Sequence, residues 1–121
     1  MRYWGFDTVA GKSLLDIGCG PGWLTVTYAK HGASVTAIDL TDHALELTRT
    51  ALVANGVKAK LKTANAEQLP FPDEASDIVV SSGVLHHTPD VFRAIQEARR
   101  VTRSGGTGLI TLYRLGILHH R

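Results

Sequence analysis

The chain has one cysteine, one methionine and four prolines in 121 residues, and no apolar run approaches a bilayer span. A single cysteine excludes an internal disulfide and fits a reducing compartment, so a cytoplasmic protein is expected. With apolar runs this short no membrane partner is expected, and the opening stretch MRYWGFD lacks the pattern of a signal peptide. Charge of one sign is scarce too. A formal net charge of +2 is too small to argue for a nucleic-acid or anionic-membrane partner. Internal repeats, low-complexity tracts and linkers are also missing. What remains is an ordinary globular composition, 44% hydrophobic and 20% charged, so residues 1–121 are expected to form one domain around one core.

Short β-rich runs alternate with helical patterns. Strand-like runs cover 13–18, 34–40, 59–66, 76–82 and 107–113. After Asp42, the residues Ala44, Leu45, Thr48, Ala51, Leu52 and Asn55 fall on one helical face, and Gly56 supplies a stop. A later helix has Thr88 as a candidate cap, Pro89 in its first turn, and a buried stripe of Val91, Ala94, Ile95, Ala98, Val101 and Thr102. Its opposite face carries Arg93, Glu97 and Arg100, which reads as a solvated surface. The stretch NAEQLPFPDEASD, broken by Pro70 and Pro72, reads as an irregular connection. Strands alternating with helices argue for βαβ units, and right-handed crossovers favour a doubly wound α/β parallel sheet of order 3-2-1-4-5. Strand three, with alternating Lys58, Lys60 and Lys62, is then a charge-protected edge.

The run LLDIGCGPGWLTVTYA packs three glycines into the turn from the first strand into the first helix. Glycine there permits positive φ and lets a ligand approach the backbone, while the helix start offers free N–H groups. A second acid, Asp39, ends the second strand. In a doubly wound sheet those strand ends are neighbours, so Asp39 can reach the two hydroxyls of a ribose. The spacing is G-x-G-x-G, with Trp23 where the dinucleotide fingerprint G-x-G-x-x-G has its last glycine. Asp16, two residues before the first glycine, suits a ligand bearing an ammonium group. NAD has none and S-adenosylmethionine has one, so S-adenosylmethionine is the expected cofactor.

LLDIGCGPG resembles the first motif of class I S-adenosylmethionine-dependent methyltransferases, and VTAIDLT resembles their second. NAEQLPFPDEASDIVVSSGVLHHTPD is similar to the third and fourth motifs of the branch acting in ubiquinone and menaquinone biosynthesis. EARRVTRSGGTGLITLY is similar to the helix, glycine turn and fifth strand that follow. The resemblance covers about residues 10 to 114 and implies a Rossmann-like fold and methyl transfer to a small-molecule acceptor.

It also implies roles. Asp16 would meet the methionine amino group, while Gly18, Gly20 and Gly22 pass beneath the cofactor, with Cys19 contributing its amide rather than its thiol. Asp39 would hold the ribose hydroxyls and Leu40 would cover one face of adenine. Asn65 would accept from the adenine amino group, Ala66 would offer backbone groups to the adenine edge, and Glu67 beside them belongs to the same set. Ser82 and Gly83 would border the sulfonium and the acceptor. Asn65 stands where the family often has an acid, and RSGG stands where it has K-P-G-G.

Methyl transfer from a sulfonium needs positioning above all, and a base only if the acceptor must lose a proton. His86 and His87 follow the fourth strand, and His87 is the candidate base, against a structural role in the turn. His119 and His120 have no further ligands nearby in sequence, so no metal is expected. The family's domain usually continues past strand five with two more strands, and its acceptor pocket is roofed by segments flanking the sheet. Neither has length here, so a shortened C-terminus and a missing N-terminal lid are expected. A cofactor-binding remnant or partner domain without a competent acceptor site is therefore the alternative to an enzyme. Strand five, TGLITLY, has no charge or proline from Thr107 to Tyr113. It is expected to drive self-association unless residues 114–121 fold back over it.

Overall fold

The computed structural model describes residues 9–19, 22–82, 89–112 and 116–120, with residues 82, 109–112 and 116–120 described by their backbone. The elements run β1 (Ser13–Ile17), α1 (Trp23–Lys30), β2 (Ser34–Asp39), α2 (Asp42–Ala54), β3 (Lys60–Thr63), β4 (Ser76–Ser82), α3 (Val91–Val101), β5 (Thr102–Leu112) and β6 (Gly116–His120). They form one sheet of order β3-β2-β1-β4-β5-β6, whose first five strands are parallel.

Alternation along the strands divides the core into two layers. Leu15, Ile17, Ile38 and Val79 pack with Leu69 and with Ala94, Ala98 and Val101 of α3. Leu14, Val35, Ile78 and Val80 pack on the other face with Val9 and with Leu24 and Tyr28 of α1. On that second face Ala37 meets Cys19 and Leu45 of α2. Crossovers of one hand put α1 and α2 on one face and α3 on the other, and the five parallel strands exit toward the same end. That end carries the glycine loop and Asp39.

The order 3-2-1-4-5 stands as expected, and β3 is an edge with Lys60 and Lys62 exposed. A sixth strand extends the sheet. The edge of β5 is paired antiparallel with β6, from Gly108 opposite His120 to Leu112 opposite Gly116. One short antiparallel strand is thus present where both last strands of the fold were expected to be missing. The premise for self-association through a bare β5 edge disappears with it.

Strand β5 also begins earlier than its apolar run suggests. It starts at Thr102, opposite Ser76, and residues 103–106 bulge out before pairing resumes at Thr107 opposite Ile78. Gly106 makes the bulge possible: a Cβ there would lie 2.5 Å from the Asp77 carbonyl oxygen and 2.8 Å from that of Arg103. The cap of α3 is Asp90, whose Oδ1 accepts from the Arg93 N–H at 3.0 Å. Thr88, expected in that role, lies outside the described residues.

The charged stripe on α3 is not merely a solvated face. The Arg100 guanidinium donates through Nη2 to the Leu69 carbonyl (3.1 Å), through Nη1 to the Phe71 carbonyl (2.9 Å) and the Asp73 carboxylate (2.9 Å), and through Nε to Glu97 (2.7 Å). Glu97 in turn accepts from the Leu69 N–H at 2.8 Å. These charge-assisted bonds hold the Glu97 carboxyl below its ordinary range, and they fasten the proline-containing connection between β3 and β4 onto the helix. Arg93 Nε likewise donates to the Glu67 carbonyl at 3.1 Å.

Candidate functional site

Asp16 is the next-to-last residue of β1, on the face covered by α1, and only 2% exposed. Its Oδ2 accepts from the Thr25 hydroxyl of α1 at 2.6 Å. Burial pushes its carboxyl up to about 6; the Thr25 hydrogen bond opposes that shift and the Asp39 charge adds to it. Among the described residues, the ion pairs all lie elsewhere.

The glycine loop begins at Gly18, which has φ +73. The N–H groups of Gly18 and Cys19 both donate to the Ile38 carbonyl, at 2.8 and 3.1 Å. The Cys19 amide therefore matters, as expected, but as a tie between β1 and β2. Its thiol accepts from the Thr48 hydroxyl at 3.2 Å, and burial pushes it up to about 11, which makes it inert. Gly22 opens α1 with φ +90, and a Cβ there would lie 2.8 Å from the Thr48 Cα. The last glycine of the loop thus lets α1 pack tightly on α2. Gly20 lies outside the described residues.

Asp39 ends β2 one residue beyond the carbonyl that anchors the loop. Its Oδ1 accepts from the Thr41 N–H at 3.2 Å and the Thr41 hydroxyl at 3.4 Å. Thr41 is also the cap of α2, its hydroxyl accepting from the Ala44 N–H at 3.2 Å. The Asp39 carbonyl accepts from the Ala64 N–H at 2.9 Å, and the Thr63 hydroxyl donates to Asp42 at 2.9 Å. The ends of β1, β2 and β3 are therefore stitched together. Leu40, next in the chain, is 63% exposed at this same end.

Asn65, Ala66 and Glu67 follow β3. The Asn65 Oδ1 accepts from the Glu67 N–H at 2.9 Å, and its carbonyl accepts from the Gln68 N–H, so it builds the turn. An aspartate would accept the same bond, which explains why an amide suffices there. Ala66 packs against the α3-side core. The Glu67 Oε2 accepts from the Asp90 N–H at 3.2 Å, fixing the turn to the start of α3. Ser82 closes β4. Gly83, His86 and His87 lie outside the described residues.

The structure thus gathers Asp16, Gly18, Cys19, Asp39, Leu40 and the Asn65–Glu67 turn at one end of the sheet. Sequence reasoning missed Thr25, whose hydroxyl donates to Asp16. Its only signal was a hydroxyl on an otherwise apolar helix face, just after the glycines. Among the described residues no group of His, Cys, Asp and Glu could hold a metal ion, and no helix is long and apolar enough to cross a membrane.

Comparison with known proteins finds a match to the methyltransferase-domain family over residues 15–110. The ubiquinone biosynthesis O-methyltransferase of Nitrosomonas europaea is 36% identical over 96 residues, covering 78% of this chain and 41% of that protein. A solved S-adenosylmethionine-dependent methyltransferase from Mesorhizobium loti is 28% identical with a TM-score of 0.76, over 86% of this chain and 48% of that one. The solved cyclase SpnF is 28% identical with a TM-score of 0.81, over 87% of this chain and 40% of that one. The chain spans about two-fifths of the length of the curated relatives it matches.

Proposed function

This chain belongs to the methyltransferase-domain family, the S-adenosylmethionine-dependent methyltransferases, and from that premise we propose that it methylates a small-molecule acceptor. The observation that carries the reading is the placing of Asp16 and Asp39 at the adjacent ends of β1 and β2, which the Gly18 and Cys19 N–H groups tie together at the Ile38 carbonyl. The donor set fits the cofactor: a buried carboxylate with no cation partner among the described residues suits an ammonium, and a strand-end carboxylate suits a ribose diol. When bound, S-adenosylmethionine supplies a methyl group on a sulfonium that an acceptor displaces in line.

The chain's own residues position and shield. Asp16 receives the amino group. Asp39 takes the two ribose hydroxyls while Thr41 keeps its carboxylate from rotating. Leu40 lies over one adenine face, and the Asn65–Ala66–Glu67 turn meets its edge. Gly18, Cys19, Gly20 and Gly22 form the loop that lets the ligand come close to the backbone, and Ser82 borders the reacting centre. For an acceptor that must lose a proton, His87 is the base we assign. We take residues 1–121 as one domain, working in the cytoplasm.

A second reading is a cofactor-binding domain without its own acceptor site. It is favoured by the cyclase among the solved structures that share its fold. Calorimetry with S-adenosylhomocysteine and NAD, beside turnover on a panel of phenols, quinols and carboxylic acids, tests both readings. S-adenosylhomocysteine binding with turnover supports the enzyme. The same binding without turnover on any acceptor supports the second reading, and tighter binding of NAD overturns the cofactor.

A further inference from the structure

Asp16 and Thr25 are both almost fully buried, 2% and 0% exposed, and joined by a 2.6 Å hydrogen bond across the β1–α1 interface. A carboxylate removed from water is costly unless a cation or several donors face it. Around Asp16 the described titratable groups are Asp39 from β2, the Cys19 thiol from the glycine loop and the Tyr28 phenol from α1. Burial pushes Cys19 and Tyr28 upward, so both stay neutral, and the remaining neighbour is another acid. From β4, Asp16 has the apolar Val80 in register. Among the described residues, the Thr25 hydroxyl donates to one oxygen of the Asp16 carboxylate.

We infer that Thr25 is a positioning residue for the ligand's amino group. By donating to one oxygen of Asp16 it fixes the rotation of the carboxylate and favours its anionic form against the pull of burial, so that capture of a cationic amine depends on Thr25. This rests on the proposed cofactor. The direction follows from burial: the ligand-free carboxyl titrates near 6, so below that pH the amine must displace a proton, and affinity falls by up to about tenfold per pH unit. Without the Thr25 bond the neutral form is favoured further and the fall begins at higher pH.

Calorimetry of the full chain from pH 5 to 8 tests this with two ligands, S-adenosylhomocysteine and 5′-methylthioadenosine, which lacks the amino acid. In the wild type, S-adenosylhomocysteine affinity should decline below about pH 6 while methylthioadenosine affinity stays level. In Thr25→Val, which keeps the shape of the side chain, the decline should move up by about one pH unit, the equivalent of one hydrogen bond. Methylthioadenosine binding should not change, and Thr25→Ser should restore the wild-type curve. Superimposable wild-type and Thr25→Val curves would overturn the inference. So would an equal loss of both ligands, or no rescue by serine. A wild type that binds neither ligand at any pH would instead overturn the cofactor reading itself.

Discussion

Two aspartates on neighbouring strands, at opposite ends of the sheet, have opposite environments. Asp77, near the start of β4, accepts from the Ser13 N–H at 3.0 Å and its hydroxyl at 3.1 Å, and pairs with Arg103 at 3.2 Å. Those partners, the Ser13 N–H above all, hold its carboxyl below the ordinary range. Asp16, near the end of β1, accepts from the Thr25 hydroxyl and is pushed up to about 6 by burial. One acid closes the structure; the other is the one we assign to the ligand. A buried anion left this poorly compensated destabilises the fold, and such cost is a mark of a binding or catalytic position.

The sharpest way to break the contrast is Asp16→Asn. The neutral amide should weaken S-adenosylhomocysteine binding by about a hundredfold in calorimetry. The same change should stabilise the ligand-free fold at pH 8 by on the order of 3 kcal/mol, read by denaturant unfolding. Lower stability in that variant would mean the carboxylate is structural after all.

At the opposite end, Gly106→Ala should cost about 3 kcal/mol, because the carbonyls that its Cβ would meet are backbone and cannot yield. Gly105→Ala, with φ +81 but open space around it, should cost about 1 kcal/mol, and thermal melts of the pair separate crowding from strain.

Asp39→Ala removes both a ribose partner and the like charge facing Asp16. Binding should weaken by about 1.5–3 kcal/mol with the fold intact, and its decline at low pH should shift to lower pH. Unchanged affinity would show that the ribose is held elsewhere.

The smallest effect is in stability against pH. The Asp16 contribution, raised above its unfolded value, is fully present below about pH 4 and lost as pH rises through about 6. The contributions of Asp77 and Glu97, both lowered, are present above the ordinary carboxylate range and lost as pH falls through their folded values. The stability advantage of Asp16→Asn should therefore vanish by about pH 4 while Asp77→Asn is still destabilising at pH 7.

Sheet order and the placing of Asp16 and Asp39 at neighbouring strand ends were legible because they rest on patterns carried by the residues themselves: buried strand runs, helical periodicity, glycines at a strand end. What was not legible depended on distant partners. Arg100 looks solvated from its own helix, since the carbonyls of Leu69 and Phe71 leave no mark in sequence. Gly22 resembled a ligand-facing glycine, yet its crowding comes from Thr48, a residue of α2. Strand β6 has five residues and joins the sheet only because β5 offers it an open edge. Asp90, two residues past the expected Thr88, caps α3 by accepting from the Arg93 N–H.

The Arg100 fork also governs which positions of this chain can drift. The path of the connection from Leu69 to Asp73 is set by bonds to two backbone carbonyls, one backbone N–H and a single carboxylate. Main-chain groups are the same whatever the side chain, so exposed Gln68, Pro70 and Pro72 carry little of the information that shapes this segment. That information resides in α3, in Arg100 and Glu97. Related sequences can therefore differ freely at Gln68, Pro70 and Pro72 and keep the connection in place, whereas a change at either helix residue would release it.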